Sequence, residues 1–451
     1  MFVKRTAELN LLEEQYASDG SSLVILYGRR GMGKTTLLRE FLSEKVNACY
    51  YAGAECEDQL QLLLLHQKCG KEQLPEDSLD YLAMFTGLIA GNDAKLIIVL
   101  DEFHYMIKNE SRILDVLQLL GNAGRPVMIV LSSSSIRWVE NEMLSDIGSH
   151  ASYITAYMKL KELTFVDFVN RFPDSTVETC IYINAFLGGI PEYLDAWQEK
   201  QSVEDNIKNL LLNKNSGLFH EPQRFLKLEL REPAVYNTIL YFLASGNRKL
   251  NDLHARTGYS RAKISVYLKN LIQLDIVEKL VPFGAEGKEN AQKGLYRIKD
   301  NFLSFWFRFV FPNTSELMLE QVDSVYRQKV VPYLDEYMKE YFADVCTEFL
   351  KLMNLQRQLP AGFLWWDRWY GKNGTIDILA QSEDRKTLVA KCLWGDRGAD
   401  RTTYQSLLAL AEEAGVLPDY CYLFSKIGFD RELSGIAEEV KNLFLIGLED
   451  L

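Results

Sequence analysis

The sequence predicts an α/β fold: a parallel sheet comes first, then a helical stretch, then a second, smaller α/β region near the C-terminal end. Three observations predict it. Short apolar runs alternate with helical patterns through the first 160 residues. Those runs are continuous rather than alternating, as strands covered on both faces should be. From about residue 162 to about 275 the pattern is helical, and beyond about 335 a helix is followed by strand-like segments.

The apolar runs are Leu23–Tyr27, Ala48–Tyr51, Leu96–Leu100 and Val127–Leu131. Residues 281–294 are rich in turn formers and charge and read as a hairpin tip or loop. An aromatic run follows, Phe302, Phe305, Trp306, Phe307, Phe309 and Phe311, and reads as core rather than as a base-stacking platform. Thr375–Ala380, Thr387–Trp394 and Tyr420–Ser425 read as strands. The division expected is 1–162 for the sheet core, 163–232 for a helical lid, 233–300 for a winged helix, 301–334 for linker helices and 335–451 for the last domain.

Composition bounds the function classes. At roughly 100–200 residues per domain, 451 residues make two to four domains. With 47% hydrophobic and 25% charged residues the chain is globular, not disordered. No apolar run approaches the ~20 residues of a spanning helix, and Met1–Glu8 has no apolar signal core. A cytoplasmic protein without a membrane partner is expected. The seven cysteines are odd in number and contain no Cys-x-x-Cys pair. That predicts reduced thiols, with neither a zinc ribbon nor a disulfide framework. A net charge of −12 argues against a nucleic-acid coat over the whole surface and leaves room for one basic patch.

The clearest chemistry lies at Gly28-Arg29-Arg30-Gly31-Met32-Gly33-Lys34-Thr35, which matches G-x-x-x-x-G-K-[ST] in full. It follows a predicted strand and opens a helix over Thr35–Leu42, with Thr36 in its first turn. Loop N–H groups and the helix N-terminus together favour a polyphosphate. In such a P-loop NTPase sheet, Lys34 reaches the β- and γ-phosphates and Thr35 binds Mg²⁺. Sixty-odd residues on, the strand Leu96–Leu100 ends in Asp101 and Glu102. Asp101 is expected to hold Mg²⁺ and Glu102 to act as general base toward water. After the next strand, Ser134 is a candidate for sensing the γ-phosphate or water. His104 reads as a packing residue. No guanine-specific Asn-Lys-x-Asp stands after the sheet strands, which favours ATP.

Phe2-Val3-x-Arg5-x-x-Glu8-Leu9, the Gly-Arg-Arg loop, Leu100-Asp101-Glu102-Phe103, Ser134-Ser135 and Gly188-Gly189-Ile190-Pro191-x-Tyr193-Leu194 together resemble the archaeal-type AAA+ ATPases, which are related to STAND signalling ATPases. The resemblance continues through Glu229-Leu230-Arg231-Glu232-Pro233-x-x-Tyr236 into a winged helix and a C-terminal nuclease-like domain. It implies that Phe2 and Arg5 lie near the adenine and that Pro191 belongs to the lid over the nucleotide. It also implies a Gly-Arg pair before a strand at Met158–Leu160; this chain has Gly148-Ser149-His150-Ala151-Ser152-Tyr153 there and no arginine. Slow hydrolysis follows, unless a second copy or another protein supplies an arginine.

Residues 235–281 carry a helix-turn-helix pattern: Val235–Leu243, Leu250–Thr257, and Arg261–Leu274 capped by Ser260, with Ile264, Leu268, Leu271 and Ile272 at helical spacing. Ile276–Phe283 and Gly294–Ile298 would form the wing. Between 247 and 271, Arg248, Lys249, Arg256, Arg261, Lys263 and Lys269 face only Asp252. DNA phosphates are candidate partners for Arg248, Lys249, Arg261, Lys263 and Lys269, and an internal or protein-contact role is the alternative.

By the resemblance, the last domain would use a helix Glu, a strand Asp and a Glu-x-Lys around Mg²⁺. Only Asp377 matches; Ala343, Lys391 and Leu393 stand at the other positions. A non-cutting scaffold is expected, with Lys391 paired to Asp377. The leading reading is thus an ATP-binding switch with slow turnover. The alternative is a DNA-associated winged-helix protein using its C-terminal domain as scaffold, and an active nuclease ranks last.

Overall fold

The computed structural model describes residues 5–69, 80–90, 94–107, 112–122, 124–280 and 294–451. The chain divides into two compact units. The first is Met1–Glu162 with Ile190–Glu192, and the second is Leu163–Gly189 with Tyr193–Leu451.

The first unit is a five-stranded sheet with order β2-β3-β4-β1-β5. Its strands are β1 (Ser22–Tyr27), β2 (Ala48–Ala52), β3 (Leu96–Asp101), β4 (Val127–Ser133) and β5 (Ile154–Lys159), and every pairing is parallel. The four predicted apolar runs are four of these strands. β1, β3 and β4 are buried along almost their whole length, which is why their sequences do not alternate. β5 starts earlier than the strand expected at Met158–Leu160, because its exposed residues Thr155 and Tyr157 break the apolar run.

One sequence expectation fails here. Cys49 on β2 and Cys69 at the end of the helix Asp58–Cys69 form a disulfide, with Cα atoms 5.9 Å apart. Reduced thiols had been expected throughout. The helix packs against β2 and brings the two together, and no local spacing announces a pair 20 residues apart. The other described cysteines are free.

The second unit begins with helices Phe165–Arg171 and Val177–Leu187. Thr164 caps the first through a capping box with Asp167, and Thr176 caps the second. The helix-turn-helix follows as Pro233–Ala244, Leu250–Thr257 and Arg261–Gln273, with an antiparallel pair β6 (Val277–Leu280) and β7 (Leu295–Ile298). The expected cap is present: the Ser260 side chain accepts from the Lys263 N–H. Ile264, Leu268 and Leu271 are buried, but Ile272 is 37% exposed and does not belong to that core. Residues 281–293 of the expected wing tip lie outside the described residues. Most of the aromatic run is core, as expected: Phe302, Phe305, Trp306, Phe307 and Phe309 are buried, and Phe311 is half-buried.

After the long helix Val331–Leu355 comes a mixed sheet of order β12-β11-β10-β9-β8. It contains β8 (Phe363–Tyr370), β9 (Thr375–Ser382), β10 (Thr387–Leu393), β11 (Tyr420–Ser425) and β12 (Leu443–Ile446). β8 to β10 run antiparallel, and β10 to β12 run parallel. The edge strands β8 and β12 escape the sequence reading. β8 mixes Asp367 and Arg368 with aromatics, and β12 is four residues long.

An ion network joins β7, the long helix and β8. Arg297 forks onto Asp344 at 3.0 Å for each nitrogen, lies 3.3 Å from Glu340 and pairs with Glu278. Arg248 also forks onto Glu340, and Arg368 reaches Asp344 at 2.6 Å. Burial pushes the Glu340 carboxyl up, but Arg297, Arg248 and Arg368 outweigh it and bring its pKa down to about 2.

Candidate functional site

The phosphate loop leaves β1 at Gly28 and enters the helix Lys34–Leu42. Two glycines are required by close approach. Gly28 has φ +151°, and a Cβ there would lie 2.7 Å from the Leu160 carbonyl oxygen. Gly31 has φ +84°, and its Cβ would lie 2.7 Å from Glu192 Oε2. The φ values suit glycine alone, and any side chain would push the loop off its supports.

Arg29 is buried and Arg30 is exposed at the loop's outer turn. Met32 and Lys34 are buried. Lys34 Nζ donates to the carbonyls of Gly28 at 2.7 Å and Arg29 at 3.2 Å. The ammonium therefore stands inside the curl of the loop. Thr36, half-buried, sits in the helix's first turn behind Thr35.

Thr35 and Asp101 meet, as their spacing implied: Thr35 Oγ1 donates to Asp101 Oδ2 at 2.9 Å. Asp101 ends β3 and is 2% exposed. A second donor, which sequence reading missed, is Tyr50 on β2, whose Oη lies 2.7 Å from the same oxygen. Burial, then the Asp101 carboxylate, pushes the Tyr50 phenol well up, so it keeps its proton and remains a donor. The only signal would have been register: β2 pairs parallel with β3, placing Ala52 opposite Asp101.

Glu102 has φ +51°, a left-handed conformation that costs a non-glycine residue energy. Its Oε2 accepts from the Ser134 N–H at 2.9 Å and the Ser134 hydroxyl at 2.7 Å. Ser134 thus holds the carboxylate, a contact the expected sensing role had not included. His104, read as packing, is placed in this cluster. Its Nδ1 is 3.4 Å from Glu102 Oε2 and 3.0 Å from Ser133 Oγ.

The Arg5 guanidinium is tied to backbone carbonyls. Its Nη2 donates to the carbonyls of Met32 and Lys161. Pro191 opens the short helix Pro191–Leu194, next to Glu192, whose N–H donates to the Gly31 carbonyl at 3.3 Å. Phe2 lies outside the described residues. Gly148–Tyr153 forms a 3-10 turn without an arginine.

The loop with its buried lysine, the helix start behind it and the paired Thr35 and Asp101 oxygens suit a nucleotide polyphosphate and a hard divalent cation. One carboxylate and one hydroxyl are what Mg²⁺ takes from a protein when phosphates supply the rest.

The basic residues of the winged helix are not all open to a ligand. Arg248 is bound to Glu340. Arg261 Nε donates to Asn251 at 2.8 Å, and Lys263 lies over the rings of Tyr259 and Tyr267. Lys249, Arg256, Arg261 and Lys269 are exposed.

In the C-terminal sheet, Lys391 Nζ is 3.1 Å from Asp377 Oδ2, and Asp377 also accepts the Cys392 N–H and the Thr375 hydroxyl. Ala343, Asp377, Lys391 and Leu393 line one cavity of about 680 Å³. Residues from a helix and two strands thus converge, with Lys391 paired to Asp377, and Asp335, Glu336, Glu340 and Asp396 line the same cavity. We expect no Mg²⁺- or Mn²⁺-dependent cleavage of DNA or RNA by the full chain. Metal-dependent cleavage that vanishes in Asp377→Ala would overturn this.

A parallel sheet of this order, with a phosphate loop after β1 and an acidic pair ending β3, defines a P-loop ATPase fold. Residues 2–196 match the family model for an ATPase domain predominantly from Archaea. Residues 237–279 match bacterial regulatory proteins of the arsR family, and 306–404 match archaeal and bacterial proteins of unknown function. The chain therefore carries an archaeal-type ATPase domain, a winged helix-turn-helix and this C-terminal domain. It is 29% identical over 461 aligned positions to an uncharacterised protein of Methanocaldococcus jannaschii, covering 100% of both chains. An uncharacterised ATP-binding protein of the same organism is 49% identical over 45 residues, 10% of this chain and 76% of that one. Among solved structures, the Walker-type ATPase of Pyrococcus abyssi is 17% identical with a TM-score of 0.47, covering 68% of this chain and 96% of that one. Among the described residues no helix is long and apolar enough to cross a membrane.

Proposed function

We propose that this chain is a cytoplasmic, Mg²⁺-dependent ATPase with slow intrinsic turnover, serving as a nucleotide-dependent switch. The observation that carries the reading is the meeting of the phosphate loop with Asp101 through Thr35, beside the Ser134-anchored Glu102. Lys34 would leave its carbonyl partners for the β- and γ-phosphates. Thr35 and Asp101 would hold Mg²⁺, which neutralises phosphate charge when bound. Glu102, fixed through Oε2, would use its other oxygen to accept the proton of the attacking water.

Slow turnover rests on Gly148–Tyr153. An arginine finger is commonly worth ~10³–10⁵ in rate, and that turn supplies none. A partner protein or a second copy would then set the rate. The test is calorimetry and single-turnover hydrolysis on dilute monomer. Wild type should bind Mg-ATP and hydrolyse it slowly, while Glu102→Gln should bind and not hydrolyse. Equal hydrolysis by both proteins would sink the assignment of Glu102, and fast turnover by the monomer would sink the switch reading.

A second reading is favoured by the exposed Lys249, Arg256, Arg261 and Lys269 around the helix Arg261–Gln273. They would contact duplex phosphates, with the C-terminal domain as scaffold. Arg248, held by Glu340, would take no part.

A further inference from the structure

The phosphate loop is tied at three points to the two segments where the chain leaves the first unit. Gly28 packs against the Leu160 carbonyl, where a Cβ would come within 2.7 Å. Gly31 accepts the Glu192 N–H at 3.3 Å. Between these, Arg5 Nη2 donates to Met32 O at 3.0 Å and to Lys161 O at 2.9 Å. The Arg5 side chain is 8% exposed, and Nη1 lies 3.4 Å from Glu8 Oε1. The chain exits after Glu162, returns for Ile190–Glu192 and exits again.

We propose that Arg5 is a positioning residue of the phosphate loop. It aims a loop amide at the phosphates and makes the segments Leu160–Glu162 and Ile190–Glu192 respond to what the loop holds. A trans peptide points its C=O and N–H in opposite directions. By pulling Met32 O toward itself, Arg5 turns the Gly33 N–H of the same peptide the other way. The space at Gly33 is open, with nothing described within 4 Å of where a Cβ would sit. Gly33 caps the helix whose N-terminus faces the ligand. The second carbonyl, Lys161 O, anchors the same guanidinium nitrogen. Any shift of Met32 O on phosphate binding must therefore stretch or tighten the link to residue 161. Gly31 O passes the same shift to Glu192. A methionine in its place could donate to neither carbonyl, and a lysine would keep the charge but lose the planar guanidinium that fixes the geometry.

The proposal rests on the ATP reading of the loop, and the experiment separates the two. ATP affinity is measured by calorimetry on the full chain for wild type, Arg5→Lys and Arg5→Met, counting only folded protein. Backbone amide exchange is followed with and without ATP. Loss of a hydrogen bond from a charged donor corresponds to roughly a tenfold or larger change in affinity. Arg5→Met should bind about tenfold or more weakly, with Arg5→Lys in between. In wild type, ATP should slow exchange across Leu160–Glu162 and Ile190–Glu192. In Arg5→Met the Leu160–Glu162 response should shrink, because the link from Met32 to Lys161 is gone and only the Gly28–Leu160 contact remains. Wild type that binds no ATP would sink the ATPase reading. Wild type that binds, with exchange in both segments unchanged or with Arg5→Met of equal affinity, would sink the role of Arg5 alone. If Arg5→Met does not fold, the wild-type exchange and the Arg5→Lys affinity still decide.

Discussion

Lys34→Ala will bind ATP on the order of 10²–10³-fold more weakly than wild type, since truncating one member of a buried charge pair costs about 2–5 kcal/mol. Its ammonium is the cation inside the loop's curl, 2.7 Å from Gly28 O and 5% exposed with its side chain. The loop amides and the helix N-terminus remain in the variant, but they carry only partial charges. Two of the lysine's partners are backbone carbonyls, which carry no formal charge. The variant should therefore fold, and its melting temperature without nucleotide should stay close to wild type. Calorimetry giving equal ATP affinity for the two proteins would show that the nucleotide site lies elsewhere.

Arg297→Met should destabilise the second unit by about 3–5 kcal/mol, the usual cost of removing one partner from a buried ion pair. Arg297 faces Asp344, Glu340 and Glu278 at once, with its side chain 14% exposed. Taking it away leaves Glu340 and Asp344 with Arg248 and Arg368, and takes the guanidinium from Glu278. Thermal or urea unfolding of the full chain reads the loss, and a variant as stable as wild type would show that the network is energetically idle. Acid should act on the same feature. The Glu340 pKa is depressed to about 2 in the folded chain, so its contribution is fully present above the unfolded carboxylate range and disappears as pH falls toward 2. The contribution is of order 3 kcal/mol. Glu340→Gln should flatten that part of the acid-unfolding curve.

Much of this molecule can be read in the sequence because its strongest signals are local. The loop Gly28–Thr35 and the run ending in Asp101 state their chemistry within a few residues, and the fully buried strands announce themselves by unbroken hydrophobicity. What escaped the reading is non-local. Tyr50 meets Asp101 only because β2 lies beside β3. Ser134 meets Glu102 because two strand ends adjoin, and the left-handed backbone at Glu102 is encoded by no glycine. Cys49 and Cys69 become partners through the packing of a helix on a strand. Arg248 looks like one of six basic residues between 247 and 271 until the helix carrying Glu340 claims it. Charge counted along a chain does not show which charges are already spent inside the fold.

The return of the chain for Ile190–Glu192 has a consequence for how the protein can be made and cut. A ribosome that has released residues 1–162 has not yet delivered the strand of backbone that closes on Gly31. Thirty further residues must emerge before the phosphate loop has all its neighbours, so a nascent chain cannot mature this site in strict N-to-C order. A protease cutting after Glu162 would likewise release a sheet whose nucleotide loop lacks one wall. The ATPase sheet is thus continuous as a sheet and interrupted as a stretch of sequence, and shortening the gene at the apparent domain border would remove part of the site it was meant to isolate.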